Sequence, residues 1–228
     1  MFVRRASGAV LAVLAIVLAA APCWAGFDWD VFGHRGIKGS GDLETRELDL
    51  PPFERIVLEC GLDIDVQVGG KQSASVTLDD NLLDEFEAEV KGRTLRLDWR
   101  HECRPSRDCR LELTVPALAE VVIDGAGDID VAGISGDQFA VEINGAGDME
   151  LKGEVDRFEL EINGAGDVDA DRLIAREVSV RVNGAGDAGV HATERLEAEV
   201  SGVGDVTYAG NPEDRDVQVS GVGSVRRR

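Results

Sequence analysis

The chain has 228 residues, a formal net charge of −20 and 43% hydrophobic residues. That length suits one large β domain or two small domains. So acidic a chain argues against binding nucleic acid and against simple adsorption to anionic lipid, and favours solubility, cations or cationic partners.

Residues 1–25 read as a secretory signal peptide. "MFVRR" is a short basic start, "ASGAVLAVLAIVLAAA" is the apolar run, and "PCWA" ends at Ala25 as the cleavage residue. Cys23 raises the question of a lipoprotein, but Pro22 stands where a lipobox wants a small residue. Cleavage would remove Arg4 and Arg5 and no acid, leaving 22 basic against 44 acidic side chains. No other apolar run is long enough to span a bilayer, so no transmembrane segment is expected in the mature chain.

Residues 26–41, "GFDWDVFGHRGIKGSG", are glycine-rich without a period and read as a flexible leader. Residues 42–118 alternate with period two and form an N-terminal β region. "FERIVLECGLDIDVQVGG" sets Leu58, Cys60, Leu62, Ile64, Val66 and Val68 at every second position. "SASVTL" follows, and "DNLLDEFEAEV" is expected to hold one helical turn before a strand. "TLRLDW" and "RLELTVP" flank the loop "ECRPSRDC" and are expected to pair as a hairpin. This alternation, punctuated by Gly, Pro and Asp, predicts strands with one buried face. Cys103 and Cys109 are expected to close a small disulfide in an oxidising compartment. Cys60 reads as a buried free thiol rather than a metal ligand or nucleophile.

Residues 119–225 repeat. The copies are "VIDGAGD" at 122–128, "EINGAGD" at 142–148 and 161–167, "RVNGAGD" at 181–187, "EVSGVGD" at 199–205 and "QVSGVGS" at 218–224. One aligned column is Ile123, Ile143, Ile162, Val182, Val200, Val219; two residues earlier stands Val121, Val141, Leu160, Val180, Ala198, Val217. Each copy therefore reads as one coil of a solenoid whose columns stack along an apolar core. The predicted fold is all-β: a right-handed parallel β-helix of about 19-residue coils, continuous with the β region before it. Residues 226–228 form a basic tail. At an open coil end its arginines would discourage stacking or neutralise nearby acids, and their removal is expected to promote association.

The glycine turns divide into roles. Gly125, Gly127, Gly145, Gly147, Gly164, Gly166, Gly184, Gly186, Gly202 and Gly204 are expected to allow positive φ. Asn144, Asn163 and Asn183 are expected to bond the turn and to stack as an amide ladder. Asp128, Asp148, Asp167, Asp187 and Asp205 form a carboxylate column. Neighbours at a strand spacing of about 4.8 Å repel by roughly 0.9 kcal/mol even at the dielectric of water. Two answers are open. Each carboxylate accepts N–H groups of its own turn or faces water, or the column shares calcium through carboxylate and carbonyl oxygens. The calcium-binding nonapeptide repeat fits poorly, because the opposite half of each coil lacks a matching turn.

No catalytic constellation stands out, and no catalytic residue is assigned. His34, His101 and His191 are scattered without ligand spacing, and no nucleophile elbow, zinc or phosphate-loop motif occurs. The alternative is a polysaccharide-active β-helix enzyme using outward residues such as Glu142, Glu161 and Arg181.

"FERIVLECGLDIDVQVGG" followed by "DDNLLDEFEAEVKGRTLRLDW", then "LTVPALAEVVIDGAGDIDV" and the "NGAGD" turns, resembles the bacterial family called putative auto-transporter adhesin, head GIN domain. The resemblance covers about residues 45–225 and departs at the cysteine loop and the "VRRR" end. It implies an exported all-β protein with a β-helix and supplies no catalytic residues. The expected role is a non-catalytic binding, adhesion or structural module of a Gram-negative cell envelope, periplasmic, outer-membrane-associated or secreted. Its expected partner is a glycan, a cell-wall component or an envelope protein.

Overall fold

The computed structural model describes residues 36–228. The signal peptide, the first part of the leader, Cys23 and His34 lie outside the described residues. The chain runs β1 (Ile37–Lys38), β2 (Leu43–Glu47), β3 (Arg55–Leu58), β4 (Asp63–Val68), β5 (Ser73–Asp79), a 3-10 turn at Asp80–Leu82, β6 (Phe86–Lys91), β7 (Thr94–Trp99), β8 (Cys103–Arg104) and β9 (Arg110–Val115). Then come β10 (Glu120–Ile123), β11 (Ile129–Ile143), β12 (Met149–Ile162), β13 (Val168–Val182), β14 (Ala188–Val200), β15 (Val203–Ala209), β16 (Asp214–Val219) and β17 (Val222–Arg227).

Strands β10 to β17 wind as a parallel β-solenoid. Val121, Val141, Leu160, Val180, Ala198 and Val217 stand in register from coil to coil. On the other leg, Ile64, Ile129, Met149, Val168, Ala188, Val206 and Val225 do the same. Period-two alternation turns these residues inward and their neighbours outward. Phe139 and Phe158 stack inside with centroids 6.3 Å apart. A fully buried Val, Leu, Ile or Phe contributes about 1.5–3 kcal/mol, and Val121, Val141, Leu160 and Val180 each supply one in successive coils.

The N-terminal β region is part of the same ladder. β3 pairs in parallel with β10, and β4 with β11, so residues 55–68 form the first coil. β7 then adds parallel to β3 and β9 parallel to β4. β7 and β9 therefore do not form the expected hairpin: each already has a parallel partner, on opposite legs of the coil. The chain next reverses direction and closes the end. β6 lies antiparallel on β7, β5 antiparallel on β9, and β2 antiparallel on β5. The outer strand β2, "LETRE", is exposed throughout and charged, which blunts it as a template for further pairing.

Residues 36–41, read as the end of a flexible leader, are tied down. β1 pairs in parallel with β8. The Ser40 amide donates to Asn81 Oδ1 at 2.9 Å, and the Gly41 amide to Asp79 Oδ1 at 2.7 Å. Polar partners set far along the sequence supply what the leader's lack of a period could not show.

Both glycines of a corner are closely approached, since a Cβ on Gly147, Gly166 or Gly186 would overlap the carbonyl oxygen of Gly127, Gly147 or Gly166, and the second one takes a positive φ as well at four corners, Gly186 not among them. Gly127, Gly147, Gly166 and Gly204 have φ of 144°, 152°, 156° and 154°, a region that disfavours side chains. The first glycine of each corner is not in that region, contrary to expectation. It is required by close approach: a Cβ on Gly145 would overlap the Gly125 carbonyl oxygen, one on Gly164 the Gly145 oxygen, and one on Gly184 the Gly164 oxygen. Gly61, at the first coil, would meet only the Ala126 oxygen, at 3.8 Å. Gly145→Ala should therefore destabilise by about 1–3 kcal/mol or more through overpacking, while Gly61→Ala stays within about 0.5 kcal/mol. Urea unfolding midpoints of the two variants check the contrast.

Candidate functional site

At every corner the aspartate answers a backbone need in the next coil. Asp63 Oδ1 accepts the Asp128 amide at 3.1 Å, and Asp128 Oδ1 accepts the Asp148 amide at 3.0 Å. Asp148, Asp167 and Asp187 accept the amides of Asp167, Asp187 and Asp205 at 2.9, 2.7 and 2.7 Å. The expectation that each carboxylate serves its own turn is corrected. The contact is reciprocal, because the Asp148 carbonyl accepts the Ile129 amide and the Asp167 carbonyl accepts the Met149 amide, both at 2.9 Å. Each aspartate side chain thus holds the amide of its successor, and the amide of the residue that follows it holds the successor's carbonyl. Ser224 ends the column: its hydroxyl donates to Asp205 Oδ1 at 2.8 Å, and Arg226 Nη2 donates to Asp205 Oδ2 at 2.5 Å. The Ser224 hydroxyl and, after it, the Arg226 charge hold the Asp205 carboxyl below its ordinary range against the opposing effect of desolvation.

The asparagines stack beside this column. Asn183 Nδ2 donates to Asn163 Oδ1 at 2.9 Å, Asn163 Nδ2 to Asn144 Oδ1 at 3.0 Å, and Asn144 Nδ2 to Asp124 Oδ1 at 2.8 Å. Ser220 and Ser201 continue the row, hydroxyl to hydroxyl, at 3.3 Å. Among the described residues no group of three or more His, Cys, Asp or Glu side chains converges to hold a metal ion. The carboxylates of Asp128, Asp148, Asp167, Asp187 and Asp205 succeed one another up the stack instead of gathering around a point.

The outer faces carry charge in rows. Glu112, Asp65, Asp130, Glu150 and Asp169 follow one another in register on one leg. Arg110 pairs with Asp65 at 3.6 Å, and Lys152 and Arg172 both reach Glu150, Lys152 at 3.1 Å. On the other leg Glu142, Glu161, Arg181 and Glu199 are neighbours in register. Arg157 pairs with Glu177 at 3.0 Å, and Arg176 lies between Asp156 at 3.4 Å and Glu194 at 2.8 Å. The large apolar side chains exposed among the described residues are aliphatic, so these faces present charge rather than aromatic platforms. His101 pairs with Glu85 at the N-terminal cap, and His191 lies in β14, so the structure does not bring them together.

Two residues of consequence escape the repeat alignment. Asp63 begins the aspartate column. Its signal was the shared "DIDV" at 63–66 and 128–131, masked by "ECGL" where later coils read "DGAG". Asp79 is the buried charged side chain among the described residues, at 0% exposure. Its Oδ2 accepts the Ser106 amide at 2.8 Å and the Cys109 thiol at 3.4 Å, while Oδ1 accepts the Gly41 amide. Burial pushes the carboxyl up, but the Ser106 and Gly41 amides, the Cys109 thiol and the Ser106 hydroxyl together hold it below its ordinary value. Asp79 thereby fastens the leader and the cysteine loop to the cap.

The same contact corrects the disulfide. Cys103 and Cys109 are free thiols, because Cys109 turns inward to Asp79 while Cys103 sits in β8 against β1. Cys60 lies in the core, where burial and then the nearby Asp98 charge push its thiol up to about 12. Such a thiol stays protonated at neutral pH and is a poor nucleophile.

The model of the family described as putative auto-transporter adhesin, head GIN domain, matches residues 52–212. The chain belongs to that family. A solved structure described as a putative adhesin from Bacteroides fragilis is 26% identical to this GIN-domain protein, with a TM-score of 0.72 over 85% of this chain and 100% of that one. One described as a putative lipid-binding protein from Parabacteroides distasonis is 22% identical, with a TM-score of 0.48 over 85% of this chain and 100% of that one. Among curated proteins none matches the chain.

Two outcomes follow. Asp79→Asn keeps the shape but loses the charge that holds two amides and a thiol, at a cost of about 1.5–3 kcal/mol. Because the folded carboxyl lies below its unfolded value, its stabilisation is present above about pH 4 and is lost as pH falls through the folded value. The gap in melting temperature between wild type and Asp79→Asn should therefore narrow under acid, as pH-dependent thermal melts would record. Melting in excess calcium and in excess chelator should give the same midpoint, since the corner carboxylates are engaged by backbone amides.

Proposed function

We propose that this GIN-domain protein is an exported, non-catalytic binding module of the bacterial cell envelope. It acts in the periplasm, at the outer membrane or outside it, and its charged solenoid faces hold the partner. The observation that carries this reading is the register of the acids. Asp65, Asp130, Glu150 and Asp169 repeat along an extended face rather than facing each other across a cleft. Extended concordant charge suits recognition of a long or multivalent partner, and its potential adds along the row. The signal-like start and the description of the Bacteroides fragilis relative as an adhesin agree with this reading. The envelope partner is a cell-wall component, a glycan carrying cationic groups, or a basic surface of another envelope protein.

Cell fractionation should find the protein outside the cytoplasm; retention in the cytosol with residues 1–25 intact would contradict export. Immobilised protein should bind one class among cell-wall fragments, arrayed glycans and envelope proteins in a saturable manner. Binding should weaken with salt as the Debye length falls below about 10 Å. Glu150→Gln with Asp169→Asn should weaken it further at low salt. Absence of saturable binding to all three classes leaves only a structural role.

A further inference from the structure

The two ends of the solenoid are treated differently. At the N-terminal end, antiparallel strands β6, β5 and β2 close the parallel ladder. At the last described coil, β16 pairs only with β14 and β17 only with β15, so each has one edge without a partner strand among the described residues. Val217 and Val219 stand on inward columns whose earlier members are buried, yet they are 44% and 45% exposed, and Val222 is 72% exposed. The two strands also differ in charge. β16 and the residue before it carry Glu213, Asp214 and Asp216, while β17 and the residue after it carry Arg226, Arg227 and Arg228.

We propose that this edge binds the same edge of a second copy, forming a twofold dimer in which each coil end closes the other. A twofold axis through the Gly221 corner lays β16 of one copy on β17 of the other, and the pairing is necessarily antiparallel. That is the same device by which the chain closes its own N-terminal end. Centred on Gly221, the register sets Val217 against Val225, Asp216 against Arg226 and Asp214 against Arg228. The other twofold arrangement would set β16 on β16 and β17 on β17, acid on acid and arginine on arginine, which like-charge pairing disfavours. Arg226 already holds Asp205 and Arg228 already reaches Asp171, but a guanidinium has five donors and can hold two carboxylates. One like-charge meeting remains: Arg215 with Arg227. The expectation that removing the tail arginines promotes association therefore applies to Arg227 alone and reverses for Arg226 and Arg228.

Each copy contributes two six-residue strands, few residues beside the roughly 20–30 a side of a standard interface, so the dimer is expected to be weak and reversible. Sedimentation velocity over a concentration series tests it, with circular dichroism confirming that each variant is folded. Asp216→Arg alone and Arg226→Asp alone should each raise Kd by about five- to tenfold, because each sets like charges across the twofold. An equimolar mixture of the two variants should recover the wild-type Kd, since both contacts are then of opposite sign. Arg227→Ser should lower Kd. If Arg226→Asp fails to fold, Asp214→Arg and Arg228→Asp carry the same swap. A monomer at every concentration, a dimer indifferent to these charges, or open-ended stacking would each overturn the proposal.

Discussion

Backbone laid on backbone at the glycine corner is the contact on which the rest depends. Gly125 seats against the carbonyl oxygen of Cys60, and each later first glycine against that of the glycine one coil earlier, with no room for a Cβ. That approach fixes the coil-to-coil register at one point in every turn, bridging Ala126, Ala146, Ala165, Ala185 and Val203 in sequence. Once the corner is in register, the inward columns follow, because a slip of one residue would turn every apolar side chain outward. The corner amides need acceptors, and the aspartate supplies one from the coil before. Glycine and aspartate are thus two halves of a single device: the first permits the approach and the second satisfies the amide that the approach exposes.

The middle of such a ladder is self-similar and its ends are not. A parallel coil always presents free amides and carbonyls to its successor, so some change of rule must end the stack. This chain ends it at the N-terminal side by reversing strand direction. The tight turn at Gly92, with φ of 66°, sends β6 to β7 antiparallel. Asp79 then holds the cap together from within, gathering Gly41, Ser106 and Cys109 around one carboxylate. A buried charge is retained there because each of its oxygens finds a donor, the condition under which burial of a carboxylate is tolerated.

The solenoid was legible because its chemistry recurs in words: six corners with nearly the same letters reveal a coil directly. The cap was not, because period-two alternation is the same in a parallel coil and in an antiparallel strand. "TLRLDW" and "RLELTVP" read correctly as strands, but nothing in them says which neighbour they take. The glycine roles were half legible. Composition marks where glycine is needed, but only the stacked backbone shows that both glycines are closely approached and that positive φ falls on the second alone. Asp79 gave no sequence signal, since its partners lie 27 and 38 residues away in sequence. The cysteine spacing suggested a disulfide by proximity, and a third residue claimed one thiol.

The engagement of the corner aspartates also bears on what the surface can do. Asp63, Asp128, Asp148, Asp167 and Asp187 each commit one oxygen to an amide of the next coil, which holds the carboxylate in place, and Asp205 commits its two oxygens to Ser224 and Arg226. Repulsion between rungs is then offset locally by the amide bonds and, at the column's end, by Arg226. Among the described residues, the row at Asp65, Asp130, Glu150 and Asp169 is paired by Arg110, Lys152 and Arg172. Its rungs recur at the strand spacing of about 4.8 Å, so a single ion or small ligand gains little from the repetition. A ligand that itself repeats gains at every rung, because each contact after the first is intramolecular. On the proposed binding role, selectivity for extended partners would be a property of the ladder and not of any one side chain on it.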